Sequence, residues 1–246
     1  MKAADFLDMV QAALGKPSRE LTEPYGPLDE ELDSIRERAA AATERLQRER
    51  CELWEQLSGT ATKRGWNVCR AAGVEEGLAY ICNVASSAEF PRVVRSDQDV
   101  FDEMPVDAAL GAQGVQTAVM SQSGGSTREE LKSAAAMAGV GITGVDYAVA
   151  ETGSVVLLPR AGVARLVSLA PPSHIAIVRP QELVATLDDL FLLRRLAYYE
   201  GDKNMGSYLN FITGPSRTAD IEQKIVIGVH GPKEVHLVML DEERAG

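Results

Sequence analysis

Cysteine is scarce in this chain of 246 residues, and its three copies form no C-x-x-C pair. Cys51, Cys69 and Cys82 therefore cannot supply the four thiolates of an iron–sulfur cluster or of a structural zinc. The three histidines show no close spacing either, so the sequence predicts no metal site and no redox cofactor in this chain. So few cysteines suit a reducing compartment, and we expect a cytoplasmic protein.

Positive charge and aromatic side chains are also in short supply. The 25 basic residues are outnumbered by 36 acidic ones, which gives a formal net charge of −11. General binding to nucleic acid or to an anionic membrane surface needs a basic face, so the composition argues against both. Aromatic residues make up 5% of the chain, so we expect a core of aliphatic side chains.

Long apolar runs are absent as well. No stretch approaches the roughly 20 apolar residues that a membrane-spanning helix requires. The first 14 residues form a short amphipathic stretch with Asp5 and Asp8 inside it, which is unlike a signal peptide. The sequence therefore predicts no membrane insertion.

The first part of the chain carries a helical pattern. Apolar residues recur three and four positions apart from Leu28 to Leu46 and continue to Leu57, before Gly59 offers a stop. We predict an N-terminal helical extension over residues 1–60 and one α/β domain over residues 61–246. The apolar stripe favours packing on the chain's own domain, and docking of a partner protein is the alternative.

Short β-type runs and helical runs alternate beyond residue 60. This alternation predicts an open, mostly parallel sheet flanked by helices. The pattern places helices at Gly73–Ala88 and from Pro180 through Arg194. A third helix begins at Ser126, which forms a capping box with Glu129. The predicted strands are Trp66–Arg70, Arg92–Arg95, Val115–Met120, Ser154–Leu158, His174–Val178, Leu209–Thr213 and Val235–Leu240.

A glycine pattern of the form G-x-G-x-x-G occupies residues 139–144. In a dinucleotide-binding fold this pattern follows a strand, opens a helix and precedes an acidic residue by about 20 positions. Here a predicted helix precedes it, and Val163, Ala164 and Arg165 occupy the later positions. We therefore expect these glycines to let a buried strand turn tightly rather than to bind a nucleotide.

Glu151 is a candidate catalytic carboxylate, and Thr152 and Gly153 are candidate substrate-binding residues. Glu151 follows an apolar strand, where burial would raise the pKa of a carboxyl group to suit a nucleophile or a proton acceptor. Gly153 would let a ligand approach the backbone closely. A glutamate that clamps the amides of a turn is the alternative.

Two histidines lie where an imidazole can reach a cleft. His230, between Gly228 and Gly231, is a candidate catalytic residue for proton transfer. His174, at the predicted start of a strand, is a candidate substrate-binding residue, with a structural role as the alternative. His236 alternates with apolar residues in the last predicted strand, so we assign it to the structure.

The stretch from Gly214 to Glu222 is the richest in reactive side chains at turn positions. Ser216 and Thr218 could donate hydrogen bonds to an anion, and Arg217 could bind a carboxylate through two parallel bonds. Asp220 and Glu222 complete the candidate substrate-binding set. An ion pair of Arg217 with Asp220 or Glu222 that braces the loop is the alternative.

Three blocks of the sequence together resemble the LUD-domain lactate-utilisation proteins, and in particular their protein C subfamily. The blocks are GITGVDYAVAETG (141–153), SLAPPSHIAIV (168–178) and residues 214–232. The resemblance implies a fold similar to the ribose-5-phosphate isomerase and CoA-transferase group. It also implies a cluster-free component in the oxidation of L-lactate to pyruvate, with iron–sulfur proteins as partners. It brings no established set of catalytic residues.

Three functions are open at this point. The chain is a subunit of a lactate-oxidising assembly that binds a small carboxylate, an independent enzyme of acyl or CoA transfer with Glu151 as nucleophile, or a non-enzymatic assembly factor. In an open α/β sheet, ligands bind where loops leave the carboxyl ends of the strands. We therefore predict that Glu151, Arg217, Asp220 and His230 converge on one cleft at that edge.

Overall fold

The structure is a computed structural model. It describes residues 30–121, 125–160, 165–201, 205, 206, 208–219 and 225–241, and the isolated positions 9, 12, 13 and 15. Within these residues no helix combines the length and the apolar character needed to cross a membrane.

Two helices, α1 (Leu32–Arg48) and α2 (Arg50–Arg64), carry the predicted apolar stripe. Gly59 does not end the helix, so the predicted stop is wrong: α2 continues to Arg64 and ends at Gly65, whose φ of 97° suits a helix C-terminal cap. The predicted domain boundary after residue 60 falls inside α2. The buried side chains of the two helices are Ile35, Ala39, Ala42, Leu46, Leu53, Trp54, Leu57 and Ala61.

A six-stranded parallel sheet forms the centre of the fold. Its strands lie in the spatial order β1-β12-β7-β4-β2-β3, and every pair of neighbours is parallel. The middle strands are almost wholly buried, because both faces of the sheet are covered. The predicted mostly parallel α/β sheet is confirmed. The strands are β1 (Asn67–Ala71), β2 (Arg92–Arg95), β3 (Gln116–Val119), β4 (Val140–Gly144), β7 (Ser173–Val178) and β12 (Glu234–Leu240).

Helices cover this sheet on both faces. On one face, α3 (Val74–Ser87), α4 (Val100–Glu103) and α5 (Val106–Ala112) bury an aliphatic core against β2, β4, β7 and β12. On the other face, α6 (Arg128–Met137) contacts β2, and α7 (Leu166–Leu169) contacts β4 and β7.

A second sheet of four strands continues the core beyond α2. Its order is β8-β5-β6-β9, and its apolar side chains form one cluster with α2, β7 and β12. Helix α8 (Leu187–Glu200) packs on β5 and β8. An antiparallel hairpin of β10 (Arg217–Ala219) and β11 (Ile225–Ile227) follows. The four strands are β5 (Tyr147–Val149), β6 (Ser154–Leu157), β8 (Leu183–Val184) and β9 (Asn210–Ile212).

The predicted capping box of α6 is shifted by one residue. Thr127, not Ser126, caps the helix: its hydroxyl accepts a hydrogen bond from the Glu130 backbone N–H. The Glu130 carboxylate accepts one in return from the Thr127 N–H, 2.7 Å away. Both sequence registers fit the pattern equally well, so the choice depends on where the chain leaves the preceding loop.

The predicted helix start at Pro180 is also wrong. Pro180–Glu182 forms a single 3-10 turn, and the chain then enters β8 and pairs with β5. Helix α8 begins only at Leu187, behind the capping residue Thr186. A short strand pairing therefore overrides the helical spacing of the leucines.

The glycines of residues 139–144 make room for neighbouring backbone. A side-chain carbon on Gly139 would lie 2.1 Å from the Phe90 carbonyl oxygen, and one on Gly141 would lie 1.8 Å from the Val167 carbonyl oxygen. Both positions allow only glycine, because no real side chain approaches so closely. They lie before and inside the buried strand β4, so their role is close packing rather than the tight turn that we predicted.

Candidate functional site

Glu151 lies in the turn between β5 and β6 and contacts the start of α8. Its carboxylate oxygen Oε2 accepts a hydrogen bond from the Leu187 N–H, 3.1 Å away, and its own N–H donates to the Ala185 carbonyl. The first N–H groups of a helix lack partners within the helix, and a negative charge beside them is favourable. This geometry fits a carboxylate that holds backbone amides in place, which the sequence left open as the alternative to a catalytic role.

The next two residues hold the same turn against α2. The Thr152 carbonyl accepts a hydrogen bond from Arg64 Nε at 3.4 Å, and the Gly153 carbonyl accepts one from Trp66 Nε1 at 3.1 Å. Gly153 has a φ of 69°, and a side-chain carbon there would lie 2.7 Å from the Ala61 nitrogen. The position therefore requires glycine for its conformation and for close packing.

Ser216 joins two turns that are far apart in the sequence. Its hydroxyl oxygen accepts a hydrogen bond from the His230 backbone N–H at 3.3 Å, and its own N–H donates to the Pro232 carbonyl at 2.9 Å. The Gly228 N–H donates to the Ser216 carbonyl at 2.9 Å. His230 itself is exposed to solvent.

Arg217 contacts the C-terminal end of α2. Its Nη2 donates to the Arg64 carbonyl at 3.2 Å, where a positive charge is favourable because the last carbonyls of a helix lack partners within it. A side-chain carbon on Gly65 would lie 2.7 Å from the same Nη2. Gly65 therefore leaves the space that the guanidinium occupies.

Arg64 connects these two groups of turns, since it donates to Thr152 and accepts from Arg217. We call this region the loop junction and define it as residues 64–66, 152–153, 214–217 and 228–233. The Arg217 and His230 turns meet here through Ser216. The Glu151 carboxylate, by contrast, contacts the N-terminus of α8.

The loop junction lies at the amino edge of the parallel sheet. Residues 64–66 lead directly into β1, and residues 228–233 lead into β12. The prediction that the Arg217 and His230 turns lie at the carboxyl edge is therefore wrong. The general rule for open α/β sheets concerns loops that leave strands, whereas these turns precede them.

Positive charge at the loop junction is not neutralised within the part of the chain that the structure describes. Among the described residues, Arg64 and Arg217 donate to backbone carbonyls alone, and Lys233 lies over Gly228 and forms no ion pair. Elsewhere, Arg45 pairs with Asp189 and Arg95 pairs with a carboxylate of α5. In a chain of net charge −11, such a local excess of exposed cations suits a small anion.

His174 lies in the core behind the loop junction. The side chain is fully buried, its Nε2 is 2.9 Å from Thr143 Oγ1, and its ring centroid is 6.5 Å from that of Trp66. Burial lowers the pKa of His174 to about 3, with a smaller contribution from His236, so the imidazole is neutral near pH 7. The predicted contact of His174 with an open cleft is therefore wrong, because β7 carries this residue inside the core.

The remaining candidates divide into two groups. Thr218 lies in the β10–β11 hairpin, opposite Val226, and is half-buried. Asp220 and Glu222 lie outside the described residues. The ion pair that would brace Arg217 therefore involves residues outside the described part of the chain.

A charged cluster at the carboxyl edge was missed by sequence reasoning. The Arg179 guanidinium, which follows β7, is buried and donates to Glu182 at 2.6 Å, to Glu103 at 2.6 Å and to Asp99 at 3.1 Å. We call these four residues the Arg179 cluster. Burial raises the pKa of Glu182 to about 7, against the opposing effect of the guanidinium. Only the three-residue spacing of Arg179 and Glu182 was visible in the sequence.

The loop junction has the chemistry of an anion site with a proton carrier beside it. Arginine and lysine side chains supply charge, the Ser216 hydroxyl supplies a neutral donor, and the exposed His230 imidazole can accept or release a proton. Within the described ranges, no group of three His, Cys, Asp or Glu side chains could hold a metal ion.

Known proteins are similar to this chain in sequence. The LUD domain model matches residues 54–240. Lactate utilization protein C of Halalkalibacterium halodurans is 35% identical over 162 residues, which cover 66% of this chain and 68% of that protein. Lactate utilization protein B of Shouchella clausii is 29% identical over 237 residues, which cover 77% of this chain.

Two further comparisons concern length and fold. The match to that protein B covers 48% of it, so this chain spans about half its length. A crystal structure of a DUF162 family protein from Deinococcus radiodurans has a TM-score of 0.52 and 21% identity, over 77% of this chain and 97% of that one, and supports the fold alone. Because the family model covers residues 54–240, the chain belongs to the LUD domain family.

Proposed function

We propose that this chain is the cluster-free component of an L-lactate utilisation system, which oxidises lactate to pyruvate together with iron–sulfur partner proteins. Membership of the LUD domain family and the names of its protein B and protein C relatives support this role. The observation that carries the proposed site is the pair of exposed cations, Arg217 and Lys233, which form no ion pair within the described residues and flank Ser216 and His230.

Lactate is a small monoanion with a hydroxyl group beside its carboxylate. In the proposed complex, Arg217 and Lys233 hold the carboxylate, and the His230 imidazole accepts the proton of the lactate hydroxyl. Oxidation to pyruvate releases two electrons and two protons. The hydrogen on Cα would leave as a proton to solvent, and the iron–sulfur clusters of the partner proteins would supply the acceptor for the two electrons, since the sequence predicts no redox centre in this chain.

The two alternative functions have less support. Acyl transfer needs a free Glu151 carboxylate, whereas this carboxylate binds the N-terminus of α8. Partner docking through the first helices needs an exposed apolar stripe, whereas the stripe of α1 and α2 is buried in the chain's own core.

The test is growth on L-lactate of a host strain that lacks this gene and every other member of the family. We expect the wild-type gene to restore growth and an Arg217→Ala gene to fail. Arg128→Ala is the matched control, because Arg128 is also exposed and forms no ion pair within the described residues. Immunoblots must show equal amounts of the three proteins.

Two outcomes would contradict different parts of the proposal. Normal growth of the strain without the gene would remove the role in lactate utilisation. Full rescue by the Arg217→Ala gene would leave that role in place and remove the loop junction as the carboxylate site.

A further inference from the structure

A groove runs along the outer end of the parallel sheet, and its lining shares no residue with the loop junction. It has a volume of about 720 Å³ and continues into a second hollow of about 490 Å³. Ligand pockets in proteins commonly have volumes of about 300–1,000 Å³. We call it the edge groove; its larger part is lined by Phe90, Pro91, Arg92, Gly114, Gln116, Ala136 and Met137.

The edge groove exists because small side chains of α6 lie above the last two strands. Arg92 and Val94 of β2 lie opposite Gln116 and Ala118 of β3, and alternation places all four on the face that α6 covers. Helix α6 contributes Ala134 and Ala136 to the lining, and neither side chain is large enough to fill the space. β3 is the last strand of the sheet, so the groove opens to solvent at its side.

One wall of the groove is held by backbone contacts. The Phe90 carbonyl accepts a hydrogen bond from the Arg92 N–H at 2.8 Å, and the Gly139 N–H donates to the Arg92 carbonyl at 3.0 Å. Gly139 lies so close to Phe90 that no side chain fits between them. The rim of the groove is therefore preformed, which lowers the cost of binding a ligand.

The charge of the groove has one sign. Arg92 is a cation at its mouth, and within the described part of the chain no acidic residue lines either hollow. Its Nη1 lies 3.6 Å from the Met137 sulfur, and within the described residues the guanidinium forms no ion pair. The walls are otherwise apolar, with Phe90 and Met137 exposed at the rim.

We propose that the edge groove binds an amphipathic monocarboxylate, with its carboxylate on Arg92 and its aliphatic chain between α6 and the last two strands. An unpaired guanidinium beside apolar walls fits this ligand class, because the charge binds the head group and burial of the chain supplies the rest of the free energy. A cationic ligand would be repelled. This site is separate from the loop junction and does not depend on the proposed function.

The test uses octanoate as the probe, with isothermal titration calorimetry on the full-length chain. We expect saturable binding of one octanoate per chain, and at least tenfold weaker binding by Arg92→Gln. Octanamide, which has the same chain and no charge, should bind the wild-type protein as weakly as octanoate binds Arg92→Gln. Ala136→Phe should abolish binding by filling the groove.

Controls separate the groove from other surfaces. Arg128→Gln removes an exposed arginine of α6 that does not line the groove, and it should leave octanoate binding unchanged, as should Arg217→Ala. Circular dichroism shows whether Ala136→Phe has folded. If this variant has not folded, octanoate binding by Arg92→Gln and octanamide binding by the wild-type protein still test the proposal.

The proposal is overturned if octanoate binds without saturation, or if Arg92→Gln binds it as tightly as the wild-type protein. It is also overturned if Arg217→Ala weakens octanoate binding, because that result would place the probe at the loop junction.

Discussion

Charged residues are organised in opposite ways at the two edges of the parallel sheet. At the carboxyl edge, the Arg179 guanidinium is buried and surrounded by the carboxylates of Asp99, Glu103 and Glu182. At the amino edge, Arg217 and Lys233 are exposed and have no carboxylate partner within the described residues. The difference separates charge that holds the fold together from charge that we propose to bind a ligand.

The largest expected effect is the loss of the buried charge. Arg179→Met leaves the Glu182 carboxylate buried without its partner, which should lower the free energy of unfolding by about 3–5 kcal/mol. Urea denaturation at pH 8 measures this loss. Because burial raises the pKa of Glu182, protonation relieves the unpaired charge, and the loss should shrink as the pH falls towards 5.

The matched variant at the other edge is Arg217→Met. This exposed side chain donates to one backbone carbonyl, so its removal should cost less than about 1 kcal/mol. An equal loss of stability in the two variants would show that Arg217 also serves the fold. The contrast between the two edges would then disappear.

A smaller effect is expected from the neutral histidine behind the loop junction. The pKa of His174 is about 3 in the folded chain and about 6.5 in the unfolded chain, so below pH 6.5 the unfolded chain binds the extra proton. The free energy of unfolding should therefore decrease as the pH is lowered below 6.5. The decrease is at most about 1.4 kcal/mol per pH unit and reaches about 2 kcal/mol at pH 5.

The comparison variant is His174→Gln, which keeps a hydrogen-bonding side chain next to Thr143. Urea denaturation of both proteins between pH 7.5 and 4.5 gives the slope of the free energy of unfolding against pH for each. The variant should be less stable than the wild-type protein at pH 7.5 and should lose less stability on acidification. Parallel curves for the two proteins would contradict the assignment of the proton to His174.

The sequence predicted the features of the fold that leave a local pattern. Buried parallel strands such as β7 appear as short apolar runs, and alternation with helices gives the class of sheet. The end of α2 was harder to predict, because Gly59 and Gly65 look alike. A helix continues through Gly59 at a cost of about 1 kcal/mol, which burial of Leu57 and Ala61 offsets.

Contacts between distant parts of the chain could not be predicted from the sequence. Asp99 and Arg179 are separated by 80 positions, and nothing in either segment indicates the other. Glycine and proline did predict the turns of the loop junction. Its position at the amino edge depends on β12 following the His230 turn, and the rule that we applied describes the opposite edge.

The smallest effect is expected at Glu151, where the two interpretations of one carboxylate predict different results. As the structure has it, the carboxylate accepts a hydrogen bond from the first N–H of α8. Glu151→Gln keeps an oxygen that can accept this bond and removes the charge. The charge at a helix N-terminus contributes about 0.3–1 kcal/mol, so the variant should lose no more than that and should lose less in high salt.

A nucleophile would behave differently, because the amide cannot form an acyl intermediate. Mass spectrometry after incubation with acyl-CoA would then find an adduct on Glu151 of the wild-type protein and none on the Glu151→Gln protein, while the free energy of unfolding stayed unchanged. We expect the reverse result: no adduct on either protein and a small, salt-dependent loss of stability in the variant. It would assign Glu151 to the fold and leave the exposed cations of the loop junction as the site to be tested for lactate.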